Sequence, residues 1–171
     1  IKLLLAFSLL IGIFIIGFFV IFLSLRVINR ATGDIYNQGL VGIDKLIEAD
    51  RDAYQSTLAL SLCLQNIRDG NQDALKKNLE DADVNLKQIN ERFAVFEKVY
   101  QEAGRKQNES FTVFHDNYNA LARHTATIIG FLTVLDSDAA WRLYSSDYSA
   151  AFNAMRGAMD DLTNVMLDAT A

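Results

Sequence analysis

The hydrophobic pattern divides the chain into a stretch with no polar face and a longer stretch built on heptads. Leu3 to Leu25 reads LLLAFSLLIGIFIIGFFVIFLSL, without a charge and with only Ser8 and Ser24 as polar interruptions. A helix of that length rises about 34 Å, enough for a hydrocarbon core of about 30 Å. The apolar core of a secretory signal is shorter, about 7–15 residues, and ends in a small-residue cleavage site. Here RVINR follows. Residues 1–26 therefore read as a retained transmembrane helix. Lys2 stands on one side of it and Arg26 and Arg30 on the other, too even a balance to orient it by charge.

Beyond Leu25 no break appears until Gly70-Asn71, so the membrane helix is expected to continue as one rod to about Asp69. One seven-residue stripe on it is Ile28, Ile35, Gly42, Ala49, Ser56 and Cys63; a second is Leu46, Ala53, Leu60 and Ile67. Small residues dominate, and they let another backbone approach closely. Gly70 suits a left-handed helix end and Asn71 a helix start. A second helix over about 72–103 carries Leu75, Leu79, Ala82, Leu86, Ile89, Phe93, Phe96, Tyr100 and Ala103, alternating four and three without a slip. A third, over about 106–135, carries Phe111, Phe114, Tyr118, Leu121, Thr125, Ile128, Leu132 and Leu135. After the turn Asp136-Ser137-Asp138, a fourth over about 139–171 carries Trp141, Tyr144, Tyr148, Ala151, Met155, Ala158, Leu162, Val165 and Ala169.

Short turns make successive helices antiparallel. The expected fold is all-α: a transmembrane helix continuing into an antiparallel up-down-up-down four-helix bundle over residues 27–171. The fourth helix heads back toward the membrane and meets no stop signal, so a second membrane helix is expected to follow.

Composition sharpens this picture. The 171 residues include no proline, which removes the strongest helix breaker. Sixteen basic against 21 acidic residues give a net charge of −5, against a nucleic-acid partner, whose phosphates call for clustered Lys and Arg. The single cysteine, Cys63, excludes an intrachain disulfide and a cysteine zinc cluster. His115 and His124, nine residues apart on one helix, point to nearly opposite faces and cannot share a metal. No phosphate loop, nucleophile elbow or paired-carboxylate cleft is visible, so neither an enzyme nor a cofactor site is expected.

A membrane helix running into such a bundle, with the last helix returning, resembles the sensor half of methyl-accepting chemotaxis proteins. Within it, IYNQGLVGIDKLIEADRDAYQ (Ile35 to Gln55) is similar to the start of that family's four-helix-bundle ligand-binding domain. The resemblance implies a sensor in the bacterial inner membrane, its bundle in the periplasm or extracellular space. It would bind a small metabolite directly or through a periplasmic binding protein, and relay a helix displacement for chemotaxis. The same module precedes histidine kinases and diguanylate cyclases. A membrane-tethered helical adaptor that binds a protein is the rival from another class.

The resemblance also implies a homodimer packed through the first bundle helix, and Gly42, Ala49, Ala53, Ser56, Leu60 and Cys63 suit such a contact. They suit packing inside the bundle equally. It places the ligand, of amino-acid or organic-acid class, in the membrane-distal half. The best-known members hold amino-acid carboxylates with arginines of the first helix, but Ser56 to Asn66 contains none. The arginines available for bidentate carboxylate binding are Arg51, Arg68 and Arg142. Arg51 also has Glu48, Asp50 and Asp52 within pairing range. Trp141, Tyr144 and Tyr148 offer amphipathic rings at the expected height, or ordinary core. Thr57, Ser61 and Gln65, four residues apart, form a polar strip that faces either a ligand or water.

Overall fold

The computed structural model describes residues 2–34 and 39–168. The chain forms two compact units, 1–37 and 38–171. In the first, α1 (Lys2–Asp34) is apolar on every side from Leu3 to Leu25. Phe7, Ile13, Phe14, Phe18, Phe19 and Ile21 are all exposed, so the helix has no polar face to turn to water. The stretch Leu10–Asn29 is long and apolar enough to cross a membrane. Whether α1 runs unbroken into the bundle turns on residues 35–38, which lie outside the described residues, as do Ile35 and Ala169 of the expected stripes.

The second unit contains α2 (Val41–Asp69), α3 (Gln72–Glu102), α4 (Glu109–Thr133), α5 (Ser137–Leu143), a π-helical turn (Tyr144–Tyr148) and α6 (Ser149–Asp168). Local chemistry sets the breaks. Gly70 takes a left-handed φ of 68° and closes α2 onto the Asn66 and Ile67 carbonyls. The Asn71 side chain accepts from the Ala74 N–H at 3.1 Å and opens α3. Asn108 caps α4 through the Ser110 N–H at 3.1 Å, so that helix begins at Glu109, later than the apolar spacing suggests. Asp136 caps α5 through the Ala139 N–H at 3.0 Å. The short turns fold α2 back on α3 and α4 back on α5 and α6, and α6 also packs on α2. The bundle is four-helical, with the π turn and α5 as the upper part of its last rod.

The core follows the heptads closely in α3 and α4. Leu75, Ala82, Leu86, Ile89, Phe93, Phe96 and Tyr100 are buried on α3, and Phe111, Phe114, Leu121, Thr125, Ile128 and Leu132 on α4. Phe93 stacks face to face on Phe114, and Phe96 on Phe111. Leu135, by contrast, is exposed in the turn with a left-handed φ of 61°.

Two points of packing bear on the expected stripes. Gly42, Ala49, Ala53, Ser56, Leu60 and Cys63 are all buried within the protomer, the packing inside the bundle that they suit as well as a contact between copies. The small residues serve the α2–α3 contact. The Ser56 hydroxyl reaches the Ala82 carbonyl at 2.8 Å, which requires close backbones. A Cβ on Gly42 would stand 2.9 Å from Met166 Cε. The apolar residues that α2 turns outward are Ile47, Tyr54, Leu58 and Leu62.

The second point, where the structure departs from the heptad, concerns the last rod. Ala140 is fully buried and Trp141 is 46% exposed, although Trp141 continues the heptad of Tyr148, Ala151 and Met155. The π turn carries one residue more than an α-helical turn would, and the face above it rotates accordingly. At the other end Met166 is buried in place of Val165.

Candidate functional site

Most of the residues singled out for ligand recognition meet where the second half of α2 faces α5 and the π turn. Tyr148 is wholly buried, and its hydroxyl shares a 3.0 Å hydrogen bond with Thr57 Oγ1. The Tyr144 hydroxyl donates to the Thr57 carbonyl at 3.4 Å, a long contact. Trp141, Tyr144 and Tyr148 form a ladder of near-parallel rings, with centroids 5.7 and 5.2 Å apart. The Arg68 guanidinium stands 5.9 Å from the Trp141 ring centroid, within cation–π range. Ser61 is half-buried beside Tyr144, and Gln65 is exposed one turn further along α2. The ladder thus passes from a buried phenol at Tyr148 to an open indole at Trp141.

Burial sets the electrostatics of this face. It pushes the Tyr148 phenol up to about 12, with the Thr57 hydrogen bond acting weakly the other way. Tyr144 is raised for the same reason, and the Ser61 hydroxyl opposes the shift. Both phenols are therefore neutral donors at physiological pH, and Arg68 brings a positive charge. Neutral hydroxyls, an exposed indole face and one guanidinium can receive a small polar molecule that carries a carboxylate.

The remaining candidates are placed elsewhere. Arg51 gives its Nε and Nη2 to Asp52 Oδ1 at 3.0 and 2.8 Å. Asp52 is fully buried and also faces Arg92, whose Nη1 lies 3.3 Å from Glu48. The Arg51 guanidinium is thus committed to the α2–α3 charge network and is not part of the Trp141 cluster. Arg142 is exposed on α5, and its carbonyl accepts the Ser146 hydroxyl at 2.8 Å. Cys63 is buried beside Leu75, and burial pushes its thiol up to about 12. His115 pairs with Glu97 at 2.9 Å.

One arrangement was missed by the apolar pattern. Arg156 on α6 pairs bidentately with Asp50 on α2, Nη2 to Oδ2 at 3.2 Å, and lies 4.2 Å from the Tyr54 ring centroid. The signal was there: Asp50 and Arg156 each stand next to a seam residue, Ala49 and Met155, where opposite charges join neighbouring helices.

The described residues thus form an antiparallel four-helix bundle and an N-terminal helix long and apolar enough to cross a membrane. Residues 1–170 match the family described as the four helix bundle sensory module for signal transduction. The chain belongs to that family, the sensory module of methyl-accepting chemotaxis receptors. The family is a signal-transduction module and not a catalytic domain. No curated protein and no solved structure matches the chain.

Proposed function

We propose that this chain is the membrane anchor and extracytoplasmic sensor region of a bacterial chemoreceptor, one that recognises a small polar metabolite of amino-acid or organic-acid class. The anchor is residues 1–26, in the inner membrane, with residues 27–171 forming a sensor domain in the periplasm or extracellular space. The observation that carries the reading is the Trp141–Tyr144–Tyr148 ladder tied to Thr57 beside Arg68. It lies toward the end of the bundle opposite the start of α2, between the first rod and the last. Arg68 supplies the carboxylate contact, Trp141 a ring face, and Ser61, Tyr144 and Gln65 the neutral donors and acceptors. A ligand there touches both rods at once. It can favour one arrangement of them over another and so pass a displacement toward the membrane.

The proposed assembly is a homodimer through the outward face of α2. Ile47, Tyr54, Leu58 and Leu62 are 60%, 50%, 60% and 37% exposed, an apolar strip that a second copy of the same helix would cover. A cysteine at Leu58 should then crosslink between copies and one at Ser56 should not; the reverse result would remove this interface.

A second reading, indirect sensing through a periplasmic binding protein, has its own observation. Val134 and Leu135 are 72% and 69% exposed at the α4–α5 turn, beside a groove of about 270 Å³ lined by Leu75, Leu79 and Leu132. The output that follows the sensor, chemotaxis or a histidine kinase or diguanylate cyclase, makes no difference to these contacts.

The test is a thermal-shift screen of the whole chain in detergent against amino acids, organic acids, amines and aromatic acids. A ligand that binds only the folded state adds about 2.7 kcal/mol at a hundredfold excess over its Kd. A hit whose shift disappears in Arg68→Ala supports direct recognition at this face. Silence from every class on a folded dimer removes it and leaves the binding-protein reading.

A further inference from the structure

The last rod is written in two registers. Read as continuous α-helix upward from Tyr148, the chain places Tyr144 and Trp141 on the core face, since seven residues return to within about 20° of the starting direction. Eight residues fall about 80° away, so Ala140 would sit on the flank. The structure has the opposite arrangement, with Ala140 fully buried and Trp141 46% exposed. The π turn at Tyr144–Tyr148 supplies the extra residue that makes the difference.

Serines support this wider turn. Ser145 Oγ donates to the Trp141 carbonyl at 2.8 Å, Ser146 Oγ to the Arg142 carbonyl at 2.8 Å, and Ser149 Oγ to the Tyr144 carbonyl at 2.7 Å. Side-chain hydroxyls thus satisfy carbonyls around a turn whose main-chain pattern is irregular. Below it, Tyr148 is held by Thr57, and Arg156 is held by Asp50. The lower part of the rod is anchored to α2 at two points, whereas Trp141 in the upper part is half out in water.

We propose that the Tyr144–Tyr148 π turn is a register switch: its collapse to α-helix turns α5 by about 100° and advances it by about 1.5 Å relative to α6, carrying Trp141 inward. In the present register Ala140 fills the core and Trp141 faces outward beside Arg68. In the other, Trp141 rejoins Tyr144, Tyr148, Ala151 and Met155 on one unbroken four-three seam. Two packings of one sequence that differ by a single residue of register make a discrete two-state element. The switch stands on this register arithmetic and does not depend on the ligand reading above.

Trp141 is the one tryptophan in the chain and reports its own position. The experiment compares tryptophan emission and acrylamide quenching for the whole chain in detergent micelles, wild type against a variant lacking Ser146. Deleting Ser146 takes out the extra position and leaves Ala140 seven residues from Tyr148, so an unbroken α-helix then keeps Ala140 on the core face and Trp141 outside. The combined variant Ser145→Ala, Ser146→Ala, Ser149→Ala keeps the chain length and removes the hydroxyls that support the wide turn. The expected result is a folded helical triple variant with blue-shifted emission and a loss of quenching, beside a deletion variant quenched as in the wild type. A folded triple variant with unchanged emission and quenching overturns the proposal, as does a folded deletion variant whose Trp141 moves inward. If the deletion does not fold, the triple variant decides the matter alone.

Discussion

Tyr148→Phe gives the sharpest test of how the last rod is fixed to α2, because its effect should depend on pH. The substitution removes one hydroxyl from a side chain with no exposed surface and breaks its 3.0 Å bond to Thr57. Thr57 is only half-buried and can recover a water partner, so the neutral-pH cost is that of one ordinary hydrogen bond, about 1 kcal/mol. Alkali changes the balance. The Tyr148 phenol is pushed up to about 12 by burial, against about 10 for an unfolded tyrosine. A raised folded value means that its contribution is fully present below the unfolded pKa and is lost as pH climbs toward the folded one. Between those limits the unfolded chain releases a proton that the folded chain keeps, and at pH 11 the linkage amounts to about 1.4 kcal/mol against the wild type. Phenylalanine has no such loss. The roughly 1 kcal/mol deficit of Tyr148→Phe should therefore shrink above about pH 10 and reverse near pH 11. Other raised groups, including Tyr144 and Cys63, are common to both proteins and cancel. Denaturant unfolding of the whole chain in detergent, followed by circular dichroism from about pH 8 to pH 11, reads the difference directly. A deficit that stays constant across that range would refute the burial of a neutral phenol at this position.

Other outcomes follow from the same packing. Ala53→Leu forces a larger side chain into a position with no exposed surface between α2 and its neighbours, and should cost about 1–3 kcal/mol in the same unfolding assay. Cys63, buried and with its thiol raised to about 12, should resist iodoacetamide in the folded chain and become labelled only on unfolding. The Glu48 carboxyl is lowered chiefly by its hydrogen bond from Lys45, then by the charges of Lys45, Arg92 and Arg51. A lowered folded value gives stability that is present above the unfolded pKa and lost as pH falls through the folded one. The melting-temperature gap between wild type and Glu48→Gln should therefore narrow from about pH 6 to about pH 3.

How much of this was readable in the sequence depended on what each pattern encodes. In α3 the uninterrupted four-three spacing from Leu75 to Tyr100 names a buried seam, because large apolar side chains at that spacing have nowhere else to go. The stripe of Gly42, Ala49, Ala53 and Ser56 is different in kind. Small residues permit a close approach without naming the helix that makes it, and only the fold assigns it to α3. Arg51 was ambiguous for a related reason: Glu48, Asp50 and Asp52 were all in reach, and the structure gives Glu48 to Lys45 and Arg92, Asp50 to Arg156, and Asp52 to Arg51. The clustering of Thr57, Tyr144, Tyr148, Trp141 and Arg68 follows from antiparallel topology, because the end of α2 and the start of α5 share one end of the bundle. The exposure of Trp141 does not follow from apolar periodicity. It rests on a single inserted residue held by serine hydroxyls, which that periodicity does not register.

The most direct test of the sensory reading is to join residues 1–171 to the signalling half of a chemotaxis receptor and measure kinase activity in membranes against a panel of amino acids and organic acids. The account predicts that at least one of them changes kinase output and that Arg68→Ala or Tyr144→Phe weakens the response while leaving basal output intact. Kinase output that is normal without ligand and unmoved by every compound, alone or with periplasmic extract, would contradict it.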